Sequence, residues 1–301
     1  MVISVDSPID DKVRSAMESL IEDYEHVLSR FRNDSLIAAI GKAEHGGSFD
    51  FPDWCAPLFD LYDALFSATS GAIDPCVGED LIRLGYDASL SFTVTQDAPE
   101  HLGALRGRAV WGRDVTRHGT TLVTHEPVQL DFGACGKGYL VDLLGRMLQS
   151  SQFVIDAGGD LLIHAEQPIS VALEDPEDQS HAIGIAHIAN GALCASAPSR
   201  RHWNVAVNER TQIAIHHLLN AIDGLPAQQT EASWAYVPAN ATLNLARDYP
   251  TAVADGLATA LFVSDVAQLQ RTFDFTYATL DESRQIAVSR NFPADLFLRS
   301  A

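Results

Sequence analysis

The chain has half as many basic residues as acidic ones, and this shortage excludes a broad class of partners. Its 301 residues include 20 Lys and Arg against 40 Asp and Glu, which gives a formal net charge of −20. Such a field repels nucleic acids and anionic membranes. A small polyanionic ligand must therefore be met locally, by a metal ion, a lysine or helix N-termini.

Cysteine pairs and long apolar runs are also missing. The four cysteines form no C-x-x-C pair, which argues against a zinc ribbon and against a disulfide scaffold. No stretch approaches about 20 uncharged apolar residues, so we expect no insertion into a membrane. The opening residues, MVISVDSPIDDKV, lack the basic and then apolar pattern of a signal peptide, which predicts a cytoplasmic protein.

The sequence does contain a mixture of helical and strand patterns. A hydrophobic fraction of 47% is enough for a sizeable core. Because helices and strands do not alternate regularly, we expect an α+β fold with mixed and antiparallel sheets and flanking helices. Apolar periodicity predicts helices over residues 10–31, 56–68, 136–148, 253–263 and 266–274. β-branched runs and turn residues predict strands over 2–5, 88–130 and 153–165, a β-rich region up to about 238, and a strand pair over 276–292.

The most informative segment is VADGLATALFV, residues 253–263, in which Asp255 is the only charged residue. An all-apolar helix is normally buried, and a buried carboxylate is costly unless a cation meets it. Thr259 lies four residues further on, so its hydroxyl shares a helix face with the Asp255 carboxylate. Two such oxygen ligands suit Mg²⁺ or Ca²⁺. The alternative is that Asp255 caps a neighbouring turn.

A second segment, LDFGACGKGYLVD (residues 130–142), places glycines and Lys137 at the start of a helix. Its backbone N–H groups, the helix dipole and the lysine would favour an anion such as phosphate. It is not a Walker A loop, because Gly138 and Tyr139 follow the lysine in place of Ser or Thr. The alternative is a tight strand-to-helix turn with an exposed lysine.

Three further segments allow either a ligand contact or a structural turn. Asp74, in ATSGAIDPCVG, can accept hydrogen bonds from a ligand, although an Asx turn to its own backbone is the more usual role. Gly158 and Gly159, in FVIDAGGDLL, permit positive φ and a close backbone approach. His217, in IHHLLNAIDGLP, is by itself more often structural or exposed than catalytic.

In chain order these segments resemble the ApbE family, the FAD:protein FMN transferases. The family pattern runs S-x-Y-x-x-x-S, G-G-A-F-D-P-T, D-L-G-A-I-A-K-G-Y-x-x-D, N-x-G-G-D, T-S-G, H-I-I-D-P-x-T-G-x-P and A-D-x-L-A-T-A-L. The matching segments of this chain are SRFRNDS (29–35), SGAIDP (70–75), LDFGACGKGYLVD (130–142), DAGGD (156–160), HLLNAIDGLP (217–226) and ADGLATALFV (254–263).

The resemblance implies an ApbE-like, T-fold-like architecture: one domain over residues 1–301, which can divide into two subdomains sharing one cleft. It also implies metal-dependent transfer of FMN from FAD to a threonine hydroxyl of an acceptor protein, with release of AMP. Mg²⁺, or another divalent cation, would be held by Asp255, Thr259 and the backbone carbonyl of Ala134.

The resemblance also assigns contacts to the FAD substrate. FAD would contact Asp131, Lys137 and the turn of Ala72, Ile73 and Asp74. Phe31 falls where the family has a tyrosine that stacks on the isoalloxazine ring, and His217 falls on the family's histidine, near the diphosphate. The residues assigned to the chemistry are Asp255, Thr259 and His217.

The chain departs from the family pattern at several positions. The M-G-T before the first strand is absent, so a methionine on the other side of the flavin has no counterpart. Ala195-Ser196-Ala197 replaces T-S-G, Asn220-Ala221 replaces the D-P of the histidine motif, and Asp223 and Cys76 replace threonines. No predicted metal ligand is lost. Two alternatives follow: an FAD pyrophosphatase that gives FMN and AMP, and a flavin-binding protein without turnover.

Overall fold

The computed structural model describes residues 1–208 and 211–297. Within residues 206–213, both ends included, no side chain is described. Among the described residues, no helix combines the length and the hydrophobicity that a transmembrane helix needs. The chain divides into two compact units. Unit 1 comprises Met1–Ser19, Ala134–Ser199 and Gln228–Ala301, and unit 2 comprises Leu20–Gly133 and Arg200–Ala227.

Unit 1 is built on an eight-stranded sheet. Its strands are β1 (Val2–Val5), β5 (Phe153–Asp156), β6 (Asp160–Glu174), β7 (Ala182–Ser196), β12 (Thr230–Pro238), β13 (Thr276–Asp281), β14 (Ile286–Val288) and β15 (Ala294–Leu296). All pairings are antiparallel, in the order β1-β5-β6-β7-β12-β13-β14, and β15 pairs with the first part of β7. Ile163, Leu193, Trp234 and Leu280 belong to the apolar cluster on this sheet.

Two helices of unit 1 pack closely against each other. The helices of this unit are α6 (Gly136–Gly145), α7 (Asn244–Asp248), α8 (Pro250–Ala260) and α9 (Val266–Leu269). A Cβ atom on Gly138 would lie 2.3 Å from the carbonyl oxygen of Thr251, so the approach of α6 to α8 requires glycine at this position. The packing buries α8 as the sequence predicts, and Asp255 is only 2% exposed.

Unit 2 combines short helices with small sheets. Its helices are α2 (Leu36–Lys42), α3 (Ala56–Ala68), α4 (Gly78–Arg83) and α5 (Ala98–His101), and α1 (Asp11–Leu28) continues into it from unit 1. Its strands are β2 (Gly47–Asp50), β3 (Val115–His118), β4 (Thr121–Thr124), β8 (His202–Asn208), β9 (Thr211–His216), β10 (Leu219–Asn220) and β11 (Leu225–Pro226). They form an antiparallel β2-β4-β3 sheet and the hairpins β8-β9 and β10-β11.

Most predicted elements are confirmed. The Gly158-Gly159 turn, with φ values of 74° and 110°, joins β5 to β6. Helix α8 begins three residues earlier than predicted, with Pro250 at its first position. The four cysteines are free and buried.

The prediction of strands throughout residues 88–130 is wrong for its first part. Only β3 and β4 form there, and helix α5 and a 3-10 turn at Ala104–Arg106 precede them. The Asp87 carboxylate accepts hydrogen bonds from Ser89 and Ser91, which turns the backbone away from an extended course.

Candidate functional site

A buried ion cluster in unit 1 contains the lone carboxylate of helix α8. The Asp255 side chain is 3% exposed and the Asp160 side chain is fully buried. Lys137 donates a hydrogen bond from Nζ to Asp160 Oδ2, and its Nζ lies 3.5 Å from Asp255 Oδ1. The cation that the buried Asp255 was predicted to need is therefore supplied, in the chain by itself, by Lys137.

The second oxygen of Asp255 has a structural partner. Asp255 Oδ2 accepts a hydrogen bond from the Gly138 N–H at 3.0 Å, in the first turn of α6. In return, Asp142 of α6 accepts from the N–H groups of Thr251 and Ala252, at 3.0 and 2.8 Å, in the first turn of α8. The two helices cap each other. Asp255 is thus an ion partner of Lys137 and a cap of helix α6. The cap agrees with the structural alternative, and the metal stays a prediction.

Three kinds of oxygen donor lie in this part of unit 1. The Thr259 hydroxyl donates a hydrogen bond to the carbonyl oxygen of Ala134 at 3.4 Å, a separation that two ligands of one hard cation can have. Asp160 Oδ1 is buried and has no hydrogen-bond partner among the described residues. Carboxylate, hydroxyl and carbonyl oxygens are the donors that Mg²⁺ and Ca²⁺ prefer. The donor set therefore fits a divalent cation.

This donor set is short of side-chain ligands. In residues 1–208 and 211–297, no three His, Cys, Asp or Glu side chains come together in a group able to hold a metal ion. An ion bound to Asp255, Thr259 and the Ala134 carbonyl would take further ligands from water or from a bound phosphate, as Mg²⁺ commonly does.

The pKa values of Asp255 and Lys137 are both shifted from their ordinary values. Burial and, next, the neighbouring Asp160 carboxylate together raise the pKa of Asp255 to about 7, although Lys137 and the Gly138 N–H act in the opposite direction. Burial works against the charged form of Lys137, but the Asp255 and Asp160 carboxylates outweigh it and raise the pKa of the ammonium. Any additional cation would favour ionised Asp255.

In unit 2, an exposed aromatic ring stands on a cluster of aromatic and guanidinium groups. Phe31 is 41% exposed, and its ring packs edge-on against Tyr86 with 5.5 Å between centroids. Tyr86 in turn stacks on the buried Trp203 at 5.8 Å, and Trp203 Nε1 donates to the Leu84 carbonyl. A supported and exposed ring of this kind can stack on a planar ligand.

Asp131 is held on both sides by groups of unit 2. Its Oδ2 accepts from Nε of Arg30, and its Oδ1 accepts from the Gly133 N–H at 2.6 Å. The Arg30 and Asp131 side chains are only 7% and 14% exposed. A charge-assisted pair at this depth fixes both side chains.

His217 is partly buried and neutral at pH 7. Burial lowers its pKa to about 4. Its Nδ1 lies 3.2 Å from the Arg201 carbonyl, which only accepts, so Nδ1 carries the hydrogen and Nε2 keeps a lone pair. Arg201 also donates from Nη1 to the Tyr86 hydroxyl, which ties this histidine to the aromatic cluster. A neutral imidazole with a free lone pair can accept a proton.

The turn that contains Asp74 is buried and bonded within unit 2. Asp74 Oδ1 accepts from the Cys76 N–H at 2.8 Å, which is the Asx turn that the sequence favoured. Its Oδ2 lies 3.5 Å from both terminal nitrogens of Arg108, and Arg108 donates to the Ala221 carbonyl at 2.7 Å. The Ala221 N–H donates to the carbonyl of Ala72. Arg108 therefore joins this turn to the segment that follows His217.

The predicted site residues fall into two groups, one in each unit. Unit 1 holds Ala134, Lys137, Asp255 and Thr259, and unit 2 holds Phe31, Ala72, Ile73, Asp74, Asp131 and His217. The sequence interpretation gave no role to Asp160, Arg30, Tyr86 or Arg201. Asp160 ends the DAGGD segment, so its place in the family pattern was a usable signal, whereas Arg30 occupies a variable position of the first motif.

Comparison with known proteins gives a match to a family model and two similar relatives. The model of the ApbE family matches residues 1–279. A protein of Klebsiella pneumoniae (strain 342) named FAD:protein FMN transferase is 23% identical over 274 residues, covering 87% of this chain and 74% of the relative. A protein of the same name from Treponema pallidum (strain Nichols) is 27% identical over 286 residues, covering 84% of this chain and 72% of the relative.

Solved structures have the same fold. The ApbE protein of Thermotoga maritima superimposes with a TM-score of 0.78 at 19% identity, over 98% of this chain and 95% of that one. The flavin transferase ApbE of Vibrio cholerae gives 0.75 at 18% identity, over 96% and 93% of the two chains. The predicted α+β, ApbE-like fold is therefore confirmed.

Proposed function

The chain belongs to the ApbE family, and we propose from this that it transfers FMN from FAD to a threonine hydroxyl of an acceptor protein and releases AMP. The single observation that carries the proposal is the group of Asp255, Thr259, the Ala134 carbonyl and Lys137. These are oxygen donors for a divalent cation with a lysine beside them, in a chain whose overall charge is unfavourable to a pyrophosphate.

The site residues of unit 1 would bind the pyrophosphate of FAD. Asp255, Thr259 and the Ala134 carbonyl would hold Mg²⁺ or another divalent cation. When bound, that cation would neutralise charge on the phosphate oxygens and orient them for in-line attack. Lys137 is half exposed at the start of α6, so its ammonium can also reach a phosphate.

The unit 2 group would bind the flavin. Phe31 offers an exposed ring for stacking on the isoalloxazine. Two other parts of unit 2 would also contact FAD: the turn of Ala72, Ile73 and Asp74, and the segment at Asp131. The neutral His217 would accept a proton at Nε2. Its position in the family pattern, near the diphosphate, supports this role.

The proposed reaction is a phosphoryl transfer, in which one bond to phosphorus forms and another breaks. The threonine oxygen forms a bond to the phosphorus that carries riboflavin, and the bond from that phosphorus to the bridging oxygen breaks. AMP leaves with the electron pair, and the hydroxyl proton passes to His217 Nε2. The product is FMN joined to threonine through a phosphoester. In a hydrolysis, water would take the place of threonine, and free FMN would be formed with AMP.

The experiment that tests the proposal is an incubation of the protein with FAD, Mg²⁺ and a candidate acceptor protein. The products are read by intact-mass spectrometry of the acceptor and by chromatography of the nucleotides. We expect the acceptor to gain one FMN phosphoryl group, with AMP formed in equal amount. An acceptor whose target threonine is replaced by valine should gain no mass.

Each other outcome contradicts a stated part of the proposal. Free FMN and AMP with an unlabelled acceptor would favour the pyrophosphatase. Intact FAD after long incubation would refute both enzymatic functions. In that case a flavin-binding protein without turnover would be the better account, in agreement with the altered 195–197 and 220–221 segments.

A further inference from the structure

Arg30 stands directly behind the ring that is proposed to stack on the flavin. Its guanidinium carbon lies 4.2 Å from the centroid of the Phe31 ring and 4.6 Å from that of the Tyr86 ring. Both distances are within the range of cation–π contacts. Arg30 therefore joins the exposed ring to the buried ring beneath it.

The planar group of Arg30 is also fixed by hydrogen bonds. Nε donates to Asp131 Oδ2, and Nη1 donates to the Tyr86 carbonyl oxygen at 2.6 Å. Because Asp131 Oδ1 is held by the Gly133 N–H, the carboxylate cannot easily turn away from the guanidinium. The pair is rigid on both sides, which a lysine with its single ammonium could not reproduce.

One nitrogen of Arg30 has no hydrogen-bond acceptor among the described residues. This nitrogen is Nη2, and it is buried. A buried donor without an acceptor disfavours folding. Stability alone therefore does not explain why an arginine occupies position 30. Phe31 has no hydroxyl by which a hydrogen bond could fix its ring, so the orientation of the ring depends on the groups packed against it.

We propose that Arg30 is a positioning residue for flavin binding: its guanidinium fixes the orientation of the Phe31 ring, and Asp131 contributes to flavin binding through Arg30. This inference rests on the proposed function, because it assumes that Phe31 meets the flavin.

The test is a titration of the full-length protein with FMN, which contains the flavin ring but not the pyrophosphate. Affinity is measured by calorimetry, and ring fixation by the visible circular dichroism induced in FMN at saturation. We expect Arg30→Met to weaken FMN binding at least tenfold and to reduce the induced band. Arg30→Lys should not restore either property, because lysine cannot make the planar set of contacts.

Arg117 provides the matched control. It also lies over an aromatic ring, 5.5 Å from Phe59, and pairs with two carboxylates, Asp60 and Asp63, in the same unit. Arg117→Met should lower the melting temperature as Arg30→Met does, but leave FMN affinity and the induced band unchanged. An equal loss of FMN binding in both variants would show a merely structural effect and overturn the inference.

The remaining outcomes separate the inference from the proposed function. Wild-type FMN affinity and an unchanged induced band in Arg30→Met would overturn the inference and leave the proposed function intact. A wild-type protein that binds neither FMN nor FAD would refute both. If Arg30→Met fails to fold, Asp131→Asn carries the test. It should weaken FMN binding in the same direction, and wild-type affinity in this variant would contradict the role given to the pair.

Discussion

Asp255 makes two different contacts through its two oxygens. One oxygen caps the first turn of α6, and the other faces Lys137. An asparagine at this position could keep the cap, because its carbonyl oxygen can still accept from the Gly138 N–H. It would lose the negative charge. Asp255→Asn therefore separates the electrostatic role of the residue from its structural role.

His217 provides a prediction about pH. Burial lowers its pKa to about 4 from an ordinary value of 6.5, so between these values the unfolded chain binds more protons than the folded one. The stability that this residue contributes is complete above pH 6.5 and is lost as the pH falls towards 4. We expect His217→Gln to flatten the fall in melting temperature over that interval.

The comparison is made by thermal unfolding of wild type and variant between pH 4 and pH 7. His118→Gln, at an exposed position of β3, serves as the control. It should follow the wild-type curve. A His217→Gln curve parallel to wild type over the whole interval would show that the buried imidazole does not contribute in this way.

Single residues differ in how well the sequence reveals them. Asp255 was predictable because a charge within an apolar helix is conspicuous and costly. Asp160 belongs to a quoted motif, but its pairing with Lys137 depends on β6 meeting α6, which no local pattern expresses. Arg30 looks like an ordinary surface residue in the sequence, and only its contacts with Tyr86 and Asp131, 56 and 101 residues away, distinguish it.

At the scale of elements, helices α6 and α8 are joined by reciprocal caps. Asp142 supplies two acceptors to the first turn of α8, the helix that carries Asp255 and Thr259. Asp142→Ala would leave two buried N–H groups without partners. Each such group costs about 1–3 kcal/mol, so for two groups we expect a loss of about 2–6 kcal/mol in the free energy of unfolding, measured with urea.

The matched control for Asp142 is the cap of helix α9. Asp265 accepts from the Ala267 N–H at 2.7 Å in an exposed position. Asp265→Ala should cost about 0.5–1 kcal/mol, because water can replace the lost acceptor. Equal losses in the two variants would contradict the view that burial makes the Asp142 cap important.

Elements with a strong period or a clear turn were predictable. Helix α3 and strands β5 and β6 agree with the sequence because apolar spacing and the Gly158-Gly159 turn act locally. Residues 88–114 were not predictable in this way, because β-branched composition competes there with side-chain hydrogen bonds from Asp87 and with Pro99 in α5.

At the scale of the whole molecule, the excess of acidic residues opposes the binding of an anionic ligand. A formal charge of −20 disfavours the approach of FAD, whose pyrophosphate is anionic. Of the three lysines in the chain, Lys137 is the one held against the Asp160 and Asp255 carboxylates. When both carboxylates are ionised they outnumber the single ammonium, and the proposed cation would offset the excess negative charge at this group.

We propose that Asp255 anchors the divalent cation on which FMN transfer depends. The most direct measurement is the rate of FMN attachment to an acceptor protein, followed by intact mass, for wild type and Asp255→Asn across a titration of Mg²⁺. We expect wild type to label the acceptor only when Mg²⁺ is present, and the folded Asp255→Asn protein to give no labelling at any Mg²⁺ concentration. A variant that labels the acceptor at the wild-type rate, with the same dependence on Mg²⁺, would contradict the claim.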